Sequence, residues 1–95
     1  GGPFLPGGYG VSTFRENVVY LHILNWTGEK LTFPTLPGRI VRSAALASGQ
    51  AVKLKVSESN FELSVPETQR DEIDTIVNLE FDRSVAGLAG VPVPQ

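Results

Sequence analysis

One histidine, one tryptophan, ten acidic residues and no cysteine are the groups from which this chain would have to build any chemistry. A serine triad needs a histidine base. His22 is the sole candidate, and it sits inside the apolar run NVVYLHILNW at residues 17–26. A histidine in that setting is expected to be packed and hydrogen-bonded, in the core or between sheets, not to act as a base. A metal site on one histidine needs several converging carboxylates, and none stands beside His22 in sequence. The absence of cysteine removes disulfides, zinc–thiolate sites and cysteine nucleophiles. Glycosidase chemistry needs two carboxyl groups roughly 5–9.5 Å apart on a pocket floor. The acidic residues instead fall on turns and outward strand positions. The densest acidic run, ETQRDEID at residues 67–74, does not follow the D-x-D-x-D-G calcium-loop spacing and is expected to be a solvated loop. No glycine motif follows a strand and opens a helix, so phosphate-cradling loops are absent. The expectation is no catalytic residue, no metal and no cofactor.

Trp26 closes the apolar run. A tryptophan at a strand end can stack on a sugar, cap the core or pack on a neighbouring domain. One aromatic does not make a sugar platform, so core or interface packing is preferred and sugar contact is the minor reading. Asn25-Trp26-Thr27 also satisfies the N-glycosylation pattern, which is read as a chance match.

The elements around these residues read as strands. Along residues 17–26, Val18, Tyr20, His22 and Leu24 fall on one face and Val19, Leu21 and Ile23 on the other. Large groups on both faces predict a central strand covered on both sides. Residues 11–14 suggest a short first strand, joined to it through the polar turn Arg15-Glu16-Asn17. Residues 31–33 form a short strand, and Pro34 with Pro37-Gly38 predicts that it lies at a sheet edge or leaves the sheet. Residues 39–46 are read as strand in preference to a two-turn helix. Residues 51–57 place Val52, Leu54 and Val56 inward, and residues 61–65 do the same with Phe61, Leu63 and Val65. Glu58-Ser59-Asn60 turns one into the other, with Lys53 and Lys55 facing Glu62 across the hairpin. Residues 74–82 are the last strand, with Val77, Leu79 and Phe81 inward. Turns recur at 27–30 and 48–50. Six to eight short strands with no helix predict an all-β, antiparallel, two-sheet sandwich.

The domain plan that follows has a linker or interdomain junction at 1–10, an accessory sandwich at 11–83 and a flexible tail at 84–95. The junction GGPFLPGGYG holds five glycines and two prolines. Its Phe4, Leu5 and Tyr9, together with Trp26, are the candidates for packing on a neighbouring domain. With 95 residues, 41% hydrophobic and 19% charged, the chain suits one globular domain. Its net charge of −2 offers no footprint for nucleic acid or an anionic membrane, and no apolar run reaches a bilayer span. The chain lacks methionine and opens on Gly1-Gly2-Pro3, which points to a piece of a longer protein or a mature form.

Read as a whole, residues 1–26 resemble the junction and first strands of the C-terminal domain of bacterial α-L-fucosidases of glycoside hydrolase family 29. The pieces that carry the resemblance are Gly1-Gly2-Pro3-Phe4, Pro6-Gly7, Gly10-Val11-Ser12-Thr13 and the strand YLHILNW at residues 20–26. Residues 31–36, 40–46, 52–65 and 74–82 agree with the later strands of that domain. A second leucine is absent after Leu46, and the stretch after Arg83 has no counterpart. The resemblance implies a β-sandwich that follows a catalytic (β/α)-barrel in the same parent chain. Catalytic residues of that family belong to the barrel, so none is carried onto this chain. The parent would be a retaining enzyme that releases α-L-fucose from glycans. It would be periplasmic or secreted, through a signal peptide on its N-terminal part. This piece would be non-catalytic and would stabilise the barrel. The alternative is a carbohydrate-binding module that recruits fucosylated glycan, and an immunoglobulin-like adhesion domain is a third reading.

Overall fold

The structure, a computed structural model, describes residues 2–26, 30–41, 45–46, 52–65, 75–88 and 90–93. Among the described residues, seven strands run in chain order: β1 Gly10–Arg15, β2 Val18–Ile23, β3 Lys30–Pro34, β4 Ala45–Leu46, β5 Lys53–Val56, β6 Asn60–Ser64 and β7 Thr75–Glu80. They form two antiparallel sheets, one ordered β1-β2-β7-β4 and the other β3-β6-β5. The chain is all-β, with no helix among the described residues, as the pattern of short alternating segments predicts.

Period-two alternation decides which side chains meet. In the first sheet, Ser12, Leu21 and Val77 form one inward row, and Phe14, Val19 and Leu79 form the next. In the second sheet Phe33 pairs directly with Phe61, and Leu31 with Leu63. Val19, Leu21, Ile23, Leu31, Phe33, Phe61, Leu63, Val77 and Leu79 are all buried, so the core is the space between the sheets. Pro34 ends β3, which is an edge strand, because proline cannot donate to a further ladder. Segment 40–46 is extended where described: Ile40 bridges Phe81, Val41 N–H donates to Glu80 O at 2.9 Å, and β4 pairs with β7. The order of the first sheet excludes the immunoglobulin plan. There the strand between the second and fourth is the fifth in sequence, whereas here it is the seventh.

Three expectations about side-chain placement are corrected. His22 is not in the core or between the sheets. It lies half-buried on the outer face of β2, in a row with Val11 and Ile76, and its Nε2 is 3.1 Å from Thr13 Oγ1. β2 is central in its sheet, but Val18, Tyr20 and His22 keep part of their surface, so only one of its faces is fully covered. Val56 does stand on the inner face of its sheet, opposite Phe61, yet it is 58% exposed. Lys55 does stand opposite Glu62, whereas Lys53 stands opposite Ser64, and the ion pair of Glu62 is with Lys30, whose Nζ lies 2.6 Å away. Lys30 reaches it diagonally from β3, and Lys55, although opposite Glu62 in register, adds only its field. The pair lies at the surface, where solvent and salt screen it, so it adds little to stability.

The domain plan changes most at its ends. Phe4 and Tyr9, placed by sequence in a linker, are 1% and 0% exposed. Phe4 forms a parallel bridge with Val91. Residues 84–93, placed in a flexible tail, contribute buried Val85 and set Leu88, Val91 and Val93 against the core. The physical reason is that two sheets of two- to six-residue strands leave the ends of their core open. The junction and the tail are the chain segments that close one of them. The turns at 27–29 and 48–50, the acidic run 67–74 and residues 42–44 lie outside the described residues.

The β1–β2 hairpin carries an identifiable strain. Its loop is Glu16-Asn17, and Glu16 has φ 56°, in a loop position where primed turns favour glycine. Glu16 is exposed and contributes only its carbonyl, which accepts Val85 N–H at 2.9 Å. Glu16→Gly should therefore raise stability by about 0.5–1 kcal/mol, read as a higher urea midpoint with an unchanged slope.

Candidate functional site

Two places in the fold gather side chains that the sheets alone do not require. The first is the closed end built by residues 2–10. Gly7 and Gly10 exchange backbone bonds of 3.0 and 3.1 Å, so Gly8 and Tyr9 form a tight loop. Gly10 has φ 140°, and a Cβ there would lie 2.0 Å from His22 O, so only glycine lets β1 begin this close to β2. The turn drives Tyr9 into the core, where its ring meets Phe33 edge-on at 5.1 Å. Phe4 lies 5.3 Å from Phe33 and 6.0 Å from Phe61, and Phe33 stacks on Phe61 at 5.4 Å. Ser12 Oγ fastens the segment. It accepts Phe4 N–H at 3.1 Å and donates to Phe4 O at 2.9 Å.

Of the four side chains expected to pack on another domain, Phe4 and Tyr9 are therefore corrected, because their rings complete this domain's own core. Leu5 remains 45% exposed, and Trp26 is half-buried against the core. Among the further exposed apolar residues that sequence reasoning missed are Val11 and Leu24. Val11 lies opposite His22, and Leu24 N–H bonds Tyr9 O at 2.7 Å. The signal was present in Leu24 at the end of the apolar run, but its exposure depends on where β2 ends. Asn25 is exposed beside Trp26, and Thr27, the third residue of the glycosylation pattern, lies outside the described residues.

Burial pushes the Tyr9 phenol above its ordinary value of 10.0, and the neighbouring Ser12 hydroxyl pulls in the opposite direction. Below pH ~10 both folded and unfolded chains keep this proton. Above it the unfolded chain releases the proton first, so stability falls as pH rises through that range. Urea midpoints between pH 8 and 11 should fall, and Tyr9→Phe should flatten the decline. The variant also loses the hydroxyl bond to Leu5 O (3.1 Å), which lowers its midpoint at neutral pH by about 0.5–1.5 kcal/mol.

The second place is a lateral corner between the sheets. Residues 35–41 cross there from β3 to β7, opposite the β5–β6 turn, and enclose a cleft of about 560 Å³. Leu36, Phe61 and Phe81 form its floor, and Arg39 and Glu58 stand at its rim. Asp82 holds the crossing in place. Its Oδ1 accepts Arg39 N–H at 2.9 Å and its own N–H donates to Arg39 O at 2.8 Å. The Arg39 backbone bond, reinforced by Arg83, keeps the Asp82 carboxyl below its ordinary range. Nothing in the sequence marks this cleft beyond the Pro37-Gly38 break.

Among the described residues, no group of three or more His, Cys, Asp or Glu could hold a metal ion, and no helix is long and apolar enough to cross a membrane. Comparison with family models, curated proteins and solved structures returned no match to this chain.

Proposed function

We propose that the chain is the non-catalytic accessory sandwich of an α-L-fucosidase of glycoside hydrolase family 29, and that it packs against and stabilises the parent's catalytic barrel. The observation that carries this reading is the stretch at residues 1–26, whose Gly-Gly-Pro-Phe opening, Gly-Val-Ser-Thr step and YLHILNW strand resemble the start of that domain. The all-β sandwich agrees with the fold that the resemblance implies. Docking falls to the residues that keep apolar surface at the junction end, Leu5, Val11, Leu24 and Trp26, while Phe4 and Tyr9 act from inside. The parent releases α-L-fucose from glycans with retention, in the periplasm or outside the cell, and its reacting carboxyl groups lie on the barrel.

The test compares the parent enzyme with a version lacking residues 2–93 of this chain. Soluble, fully active barrel without them would refute the stabilising role. The 95-residue chain alone should not turn over p-nitrophenyl α-L-fucoside. Sub-millimolar binding of fucose or fucosylated glycan would replace this reading with that of a carbohydrate-binding module.

A further inference from the structure

Alternation turns Leu31, Phe33, Phe61 and Leu63 into the core, so the residues between them make the outer face of the second sheet. Register sets Lys30, Ser64 and Lys53 in one row across that face, and Thr32, Glu62 and Lys55 in the next. All three lysines are exposed. They stand against one carboxylate, a surplus of two positive charges on a chain whose net charge is −2. Glu62 is already engaged. Lys30 Nζ lies 2.6 Å from it and holds its carboxyl below the ordinary range, with the Lys55 charge adding to the effect. Lys53 and Lys55 make no ion pair of their own among the described residues.

A face of this kind draws anions, and its composition narrows which kind. Lys30 and Lys53 stand two strands apart, about 10 Å, and Lys53 and Lys55 are about 7 Å apart along β5. A chain that carries repeated charges meets all three lysines in one binding event, and each contact raises the effective concentration of the next. None of the basic groups is arginine, so the face lacks the planar fork that grips a carboxylate or a guanine edge by two bonds. No aromatic ring stands at its strand positions, so an unstacked base finds no platform. Nor does any Leu, Ile, Phe or Trp point outward there to enter a lipid surface. The hydroxyls of Thr32 and Ser64 stand in the same rows as the lysines, and such groups exchange hydrogen bonds with sugar hydroxyls.

We propose that the outer face of the β3-β6-β5 sheet binds a linear sulfated polysaccharide. Its sulfate esters pair with Lys53 and Lys55 and, in competition with Glu62, with Lys30. This surface is independent of the fucosidase reading, since it uses none of the residues at the junction end and requires no fucose.

The test is an amide NMR titration of the whole chain with dextran sulfate, with unsulfated dextran as the control. Dextran sulfate should give saturable shifts at Lys30, Lys53, Lys55 and Glu62, and dextran none. Raising the salt from about 0.1 M to about 1 M shortens the screening length from about 10 Å to about 3 Å and should weaken binding at least about tenfold. Lys53→Gln combined with Lys55→Gln should also weaken it at least about tenfold. Arg15→Gln combined with Arg83→Gln makes the same change of net charge elsewhere and should alter affinity by less than about twofold. Glu62→Gln removes the competing carboxylate and should tighten binding, an effect that a loss of folding cannot mimic. The proposal fails if dextran sulfate gives no saturable shift on this face, and the lysines then only guard two sheet edges against pairing. Equal losses from the two double variants, or no gain from Glu62→Gln, would also overturn it. So would tighter binding of polygalacturonate, poly-L-glutamate, oligothymidylate or phosphatidylglycerol vesicles than of dextran sulfate.

Discussion

Phe4→Ala should destabilise the chain by about 3–5 kcal/mol, a large share of what a domain this small possesses. Phe4 is 1% exposed and packs on Phe33 and Phe61, residues contributed by β3 and β6 of the second sheet. Its backbone is clipped to Ser12 of the first sheet. Truncation would therefore empty a site that both sheets share, and the Ser12 clip would hold a backbone with nothing behind it. Urea unfolding followed by circular dichroism measures the loss. If residues 2–10 were only a passage to a neighbouring domain, the change would stay within about 0.5 kcal/mol, as at an ordinary surface position.

Ending the chain at Arg83 should cost at least about 3 kcal/mol. The truncation removes Val85, which is 1% exposed, and the half-buried Leu88, Val91 and Val93. It also removes the Val85 N–H bond to Glu16 O at 2.9 Å, the Val91 N–H bond to Pro3 O at 2.9 Å and the acceptor of Leu5 N–H at 2.8 Å. The tail and the junction lie side by side, so their losses should not add. Truncation combined with Phe4→Ala should cost less than the sum of the two. An unchanged unfolding midpoint in the truncated chain would mean that the tail is a loose appendage.

These two effects arise where the sequence was hardest to read. The stretch GGPFLPGGYG has no periodicity of two or of 3.6, so composition alone describes it as a connector. Its aromatic rings become core only because the Gly7–Gly10 turn and the Ser12 clip aim them between the sheets. The tail is similar. Val85, Leu88, Val91 and Val93 are separated by glycine, alanine and proline, with no strand pattern to mark them as buried. The candidate corner was not legible either. Arg39 and Glu58 lie 19 positions apart in sequence and line the same cleft only through the crossing from β3 to β7.

What the sequence determined by itself is local. Alternation in residues 60–64 and 75–80 is a property of neighbouring residues, and it marked which side chains face inward before any partner was known; in residues 18–23 it marked a strand but not its buried face. It also determined that β3 would either lie at a sheet edge or leave the sheet, because Pro34 has no N–H to donate, and the structure shows the first. The tertiary structure alone decided which face of β2 meets solvent, which lysine reaches Glu62, and that β7 enters between β2 and β4. It alone decided that both chain ends belong to the core. The reason is physical. Strand character follows from the order of side chains along a few residues. Burial of a particular ring or valine depends on packing between segments remote in the chain, and no local pattern encodes it.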